Sequence, residues 1–237
     1  MSIPGVTDRV VAVTGAAGGI GTAICAAFRT VGATVQAWDL HGDNNTDVLD
    51  VTDRESVAQG WARAEAQHGP IDILVCAAGV MSDDWDRCLA VNATGVRNLL
   101  DTALPAMSSR GRGSVVVISS NAGATPRAAM PAYAASKAAA SAYTRSVGID
   151  AARAGVRVNI VSPGSTDTPM LSGMLDDDAA RAAVLAGDPT RFRLGIPLGR
   201  IADAADIASA VLFLASDAAR HITLHDLRVD GGATLDQ

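Results

Sequence analysis

The stretch RVVAVTGAAGGIGTAICAAF, residues 9–28, joins a short apolar run, a glycine-rich turn and an apolar pattern of helical period through Ala23, Ile24, Ala27 and Phe28. Strand, glycine turn and helix in that order form the context in which a glycine cluster binds a dinucleotide. Gly15 permits a tight turn, Gly19 lets backbone approach a pyrophosphate beside Ile20, and Gly21 lets the helix pack close to the sheet. The free N–H groups at the helix start then face the phosphates. A second strand, 34–38, ends in Asp39, eighteen residues after Gly21. A carboxylate there accepts from both adenosine-ribose hydroxyls and repels a 2′-phosphate. Ala16, Ala17, Leu40 and His41 offer no compensating Lys or Arg, so NAD is expected rather than NADP.

Working outward, strands and helices alternate along the whole chain. Further strands are expected at 47–51, 71–76, 115–118, 156–161 and 227–229, with helices at 55–68, 83–107, from Tyr133 to about 154, and 206–215. Thr52 or Asp53 caps the second helix, Gly69-Pro70 stops it, and Gly155 ends the long one. This alternation predicts one α/β domain over 1–237, a Rossmann-type doubly wound parallel sheet of seven strands with helices on both faces. Asp50 and Val51 lie where they can meet an adenine, and Ala78 and Gly79 give a ribose a small-residue floor. The loop-rich segment 166–200 has the composition of a mobile lid.

At 49% hydrophobic residues the chain has ample material for a core. A net charge of −6 without a Lys/Arg block argues against nucleic acid and anionic membrane as partners, and no apolar run is long enough for a membrane span. The first residues lack a basic-then-apolar signal pattern, and Cys25 and Cys76 sit in apolar runs as reduced core thiols, so a cytoplasmic protein is expected. Four scattered histidines give no metal-ligand spacing.

Chemistry is expected at SNAGATPRAAMPAYAASK, residues 120–137. Tyr133 and Lys137, four apart in an alanine-rich helix, share a face, and Ser120 ends the preceding strand. A phenol, an ammonium and a hydroxyl there can perform acid/base work on an alcohol or ketone. Asn92 is a polar residue amid apolar ones, of the kind that kinks a helix and binds water.

TGAAGGIG (14–21), Asp39, Asp50, AAG (77–79), Asn92, Ser120, Tyr133, Lys137 and Pro163-Gly164 occur in this order and context, and together they resemble the short-chain dehydrogenase/reductase family over essentially the whole chain. The resemblance implies that Tyr133 is the acid/base, that Lys137 holds the cofactor ribose and lowers the phenol's pKa, that Ser120 bonds the substrate oxygen, and that Asn92 supports a water relaying the proton. A cation about 4 Å from the phenol at an effective dielectric near 20 is worth about 4 kcal/mol, enough to bring it from about 10 to near 7. Thr166 and Thr168 would meet the nicotinamide amide, beside Pro163 and Gly164.

The stretches at 124–137, 162–170, 192–202 and 213–235 resemble the branch of the family that oxidises carboxylated dihydro-aromatic alcohols to aromatic acids. This implies a dihydro-dihydroxybenzoate as substrate, with an amino-alcohol analogue, a general ketoreductase activity or a non-catalytic NAD-binding module as alternatives. Arg127 is the candidate for the substrate carboxylate, with Arg191 and Arg193 as competitors, and Met130 could pack on the ring. The family is usually tetrameric. Only twelve residues separate Gly79 from Asn92, fewer than most members have, which bears on pocket and assembly.

Overall fold

The computed structural model describes residues 2–43, 45–173 and 177–235. Seven strands form one sheet: β1 (Val10–Thr14), β2 (Thr34–Asp39), β3 (Asp47–Val48), β4 (Ile73–Cys76), β5 (Gly113–Ile118), β6 (Val156–Pro163) and β7 (Asp226–Val229). Their order is β7-β6-β5-β4-β1-β2-β3, and every pairing is parallel. Covered strands need apolar residues on both faces, which is why β1, β4 and most of β5 read as unbroken apolar runs. Val11 and Val13 point to one layer and Val10 and Ala12 to the other. The first layer holds helices α1 (Gly19–Thr30) and α8 (Ala204–Ala215). The second holds α2 (Arg54–His68), α4 (Gly95–Ser109) and α5 (Pro131–Arg153).

Between these come α3 (Trp85–Cys88), α6 (Pro169–Ser172) and α7 (Asp178–Ala186). The segment expected to be a loop-rich lid thus contains two helices, and pairs Thr166–Asp167 with Ala202–Asp203 and Gly187–Asp188 with Arg193–Leu194 as two short ribbons. Its residues 174–176 lie outside the described residues. The strand expected over 47–51 is shorter, because after Val48 the chain turns inward: Leu49 and Val51 are buried, and Asp50 accepts from the Thr52 N–H and hydroxyl. Asp53, rather than Thr52, caps α2. The helix expected from 83 begins at Trp85 and widens into a π-turn over Leu89–Thr94 before α4. Among the described residues no helix is long and apolar enough to cross a membrane, and no cluster of metal-ligating side chains occurs.

The order of the strands reverses at β1, which pairs with β2 on one side and β4 on the other. A crevice opens there at the carboxyl ends of the strands, the place where open α/β sheets bind ligands. Gly15 turns the chain into it at φ +68°, and a side chain on Gly15 would lie 2.6 Å from the Ala78 backbone. Gly21 serves a different contact from the one expected. Its missing side chain would meet the Gly15 carbonyl oxygen at 2.0 Å, so it lets the helix close on the turn itself.

Candidate active site

The start of α1 is suited to phosphate. Gly18, at its cap, contributes no side-chain hydrogen bond, and the first turn holds no acidic residue. Gly19, at the first helical position, borders Thr168, whose Cγ2 would lie 2.8 Å from an added side chain. At the end of β2, Asp39 accepts a hydrogen bond from the Ala17 N–H at 3.0 Å, so the glycine turn and this carboxylate are fastened together. Ala78 donates its N–H to Thr14 Oγ1 on the β1–β4 seam, and Gly79 follows beside Lys137 and Asn92. Val51 sends its side chain into the core against Gly95, and its carbonyl accepts from Asn98, while the Asp50 carboxylate beside it accepts from Thr52.

A cavity of about 230 Å³ continues the crevice beyond β4 and β5. It brings together Ile20, Gly79, Ser120, Arg127, Met130, Tyr133, Lys137, Pro163, Gly164, Thr166 and Thr168 from the expected set. Thr166 donates its hydroxyl to the Gly164 carbonyl, and Thr168 caps α6. Pro131 starts α5, with Met130 as its cap, so Tyr133 and Lys137 occupy its first two turns. Ser120 stands two residues beyond β5 and caps the short turn Asn121–Gly123, where its hydroxyl accepts from the Ala122 N–H.

Tyr133 and Ser120 both line the cavity wall, and the Ser120 hydroxyl is near enough to favour the ionised phenol. Burial nevertheless pushes the phenol above its ordinary value and outweighs the influence of Ser120. The net shift is therefore upward, opposite to the lowering expected from the sequence, and burial is its cause. The lysine Nζ lies 5.8 Å from the Tyr133 ring centre and donates to the Ile118 carbonyl at 2.9 Å. Its own burial brings it down to about 8, so it remains an ammonium at neutral pH and gives up its charge only as the pH rises past that value.

Asn92 is wholly buried in the π-turn. Its amide takes the Val80 N–H at 2.9 Å and donates to the Val80 carbonyl at 2.8 Å and to Ser136 at 2.9 Å. Both side-chain donors are thus spent on protein partners, so the side chain braces the Val80 loop against α5. The Cys88 thiol fastens the same short loop through the Ser82 carbonyl at 3.2 Å, and Met81 between the two ties enters the cavity wall.

Arg193 joins Arg127 in the lining, while Arg191 faces solvent and pairs with Asp188. The two lining guanidiniums act on each other: after burial, the charge of Arg193 is the next influence lowering Arg127, and Asp230 opposes it. Although burial alone would raise the Asp230 carboxyl, hydrogen bonds from Thr234, Asn121 and Gly232 hold it low. Met81, Met170, Leu171, Val184 and Ile196 also line the wall and were not singled out from the sequence. A periodic apolar residue signals burial equally well in a core or in a pocket, so no local signal marks them.

The sheet order, the glycine turn, the Asp39 tie and the Ser120–Tyr133–Lys137 cluster define a nucleotide-dependent oxidoreductase, and the chain belongs to the short-chain dehydrogenase/reductase family. A family model described as enoyl-(acyl carrier protein) reductase matches residues 15–234. The chain is similar to 2,3-dihydro-2,3-dihydroxybenzoate dehydrogenase of Bacillus subtilis, with 39% identity over 99% of each chain. It is similar also to the enzyme of the same name from Escherichia coli, with 43% identity over 94% of this chain and 96% of that one. The alignment with the first spans 259 positions against 237 residues here, so that relative carries segments this chain lacks. Among solved structures, levodione reductase superposes with a TM-score of 0.87 at 26% identity, over 95% of this chain and 97% of that one.

The cofactor is NAD, and Asp39, tied to Ala17 at the end of β2, stands where the sequence leads one to expect the carboxylate that accepts from the adenosine ribose. Replacing Asp39 by Ala removes the ribose acceptor and the tie to Ala17. NAD affinity should fall about tenfold or more, the worth of a charged hydrogen bond, while the 2′-phosphorylated form should gain. Kd values for both forms from fluorescence titration check this.

Proposed function

We propose that the protein oxidises 2,3-dihydro-2,3-dihydroxybenzoate to 2,3-dihydroxybenzoate with NAD. The observation that carries this is the pair of guanidiniums, Arg127 and Arg193, in the cavity that holds the Ser120 and Tyr133 hydroxyls. Two mutually repelling cations facing a cavity call for an anionic substrate, and a guanidinium fork fits a carboxylate. The curated relatives act, by name, on such an acid.

Bound NAD supplies the two-electron acceptor, and the chain's own groups do the rest. Ser120 and Tyr133, side by side in the cavity lining, both reach the substrate hydroxyl: Ser120 holds its oxygen and Tyr133 takes its proton. Because burial raises the phenol, the basic form of Tyr133 has to be favoured by positive charge, and Lys137 on the same helix face is the side chain placed to supply it. Arg127 and Arg193 fix the carboxylate end, which orients the ring carbon bearing the hydroxyl. Met130 and Met81 provide apolar walls for the ring. Once the carbon is oxidised, enolisation to the aromatic catechol draws the reaction forward.

The test is turnover of 2,3-dihydro-2,3-dihydroxybenzoate with NAD, followed as NADH. Arg127→Ala should raise KM for the acid about 10- to 100-fold, the loss of a charged hydrogen bond, and leave a neutral cyclic alcohol unchanged. Equal effects on both substrates would remove Arg127 from carboxylate binding. We further infer a homotetramer in the cytoplasm, with segment 166–200 as a lid over the cavity. Half-exposed Ile149 on α5 and Phe213 on α8 support burial between copies, which light scattering measures.

A further inference from the structure

At the opposite edge of the sheet, where β4, β5 and β6 begin, a second cleft of about 630 Å³ opens. Four arginines line it, Arg9, Arg112, Arg157 and Arg220, with two carboxylates, Asp72 and Asp217. Arg157 is a strut. It donates to the Leu214 and Ala215 carbonyls and to Ser114, and the charge of Asp217 supports its guanidinium against burial. Arg9 and Arg112 share one carboxylate oxygen, Asp72 Oδ1, at 3.6 and 3.4 Å, and that oxygen makes no hydrogen bond. The two guanidiniums are therefore gathered by charge, with their N–H forks unspent. Arg220 has no acidic partner among the described residues. Four guanidiniums against two carboxylates leave two positive charges in excess, in a chain whose net charge is −6.

We propose that this cleft binds a doubly charged oxyanion, either a phosphate monoester or a small dicarboxylate, at a site separate from the catalytic cavity. Two excess charges match a dianion, and the unspent forks of Arg9, Arg112 and Arg220 provide planar, bidentate donors for its oxygens. The edges of β5 and β6 and the end of α8 meet here, so a bound anion would join them and stabilise the fold in proportion to its occupancy.

The test is thermal unfolding of the NAD-saturated protein, so that the phosphate-accepting start of α1 is already filled. Glycerol phosphate and succinate are titrated separately, against sodium chloride at equal ionic strength. The wild type should show a saturable rise in Tm of a few degrees with at least one of them, and the arm that responds identifies the source of the charge. Arg112→Gln/Arg220→Gln changes only cleft-lining surface residues, so it should melt with the wild type in chloride and form NADH at the same rate, yet lose the rise. An equal rise in the variant, a rise matched by chloride, or no rise with either anion would overturn the proposal.

Discussion

Tyr133→Phe should lower kcat by about 10²- to 10⁴-fold, the contribution of a positioned general acid–base, while NAD binds with nearly unchanged affinity. The substitution removes one oxygen. The ring keeps its place in the first turn of α5, and Ser120 keeps its hydrogen bond from the Ala122 N–H. What is lost is the group proposed to take the proton of the substrate hydroxyl, and Ser120 alone is far too weak an acid to replace it. Single-turnover kinetics, with NAD affinity from fluorescence quenching, separate the two effects. A loss in kcat of less than tenfold would mean that another group carries the proton.

Lys137→Met should abolish most activity and yet raise stability near neutral pH. The ammonium is wholly buried, and its pKa is brought to about 8 from an ordinary 10.5. Below pH 8 both the folded and the unfolded chain carry the proton, and the full cost of burying the charge is present. Between about 8 and 10.5 the unfolded chain binds the proton more tightly, so the wild type gains stability as pH rises, and above 10.5 the cost is gone. A difference of this size is about 3 kcal/mol, from which losing the hydrogen bond to the Ile118 carbonyl takes back about 1. Denaturant unfolding at pH 7 should thus show Lys137→Met more stable by about 2 kcal/mol, with the advantage fading towards pH 10.5. A variant less stable at pH 7 would show that the lysine is a net structural support.

The sheet and the catalytic cluster were legible because each rests on local pattern. Buried parallel strands must be apolar on both faces, and Tyr133 and Lys137 share a face by helix geometry alone. The π-turn around Asn92 was not legible, because it answers to a tertiary demand: the side chain must reach both Val80 and Ser136. Arg127 and Arg193 lie in separate segments, and only the packing of the Arg193–Leu194 ribbon over the cavity brings the second into the lining and leaves Arg191 outside. The direction of the Tyr133 shift also escaped. Charge pairing can be guessed from spacing, but burial depends on what the rest of the chain places around the hydroxyl.

The seam between β1 and β4 joins Val11 to Ile73 and brings the Gly15 turn against Ala78. The two walls of the cofactor mouth thus come from chain positions more than sixty residues apart. As the chain is synthesised, β1, α1 and β2 can gather first, but the mouth has a single wall until the polypeptide has emerged beyond Ala78. NAD therefore cannot template early folding. It can only reward a nascent chain that has already completed the crossover through α2, which makes docking of β4 against β1 the step at which the cofactor begins to protect the protein from degradation.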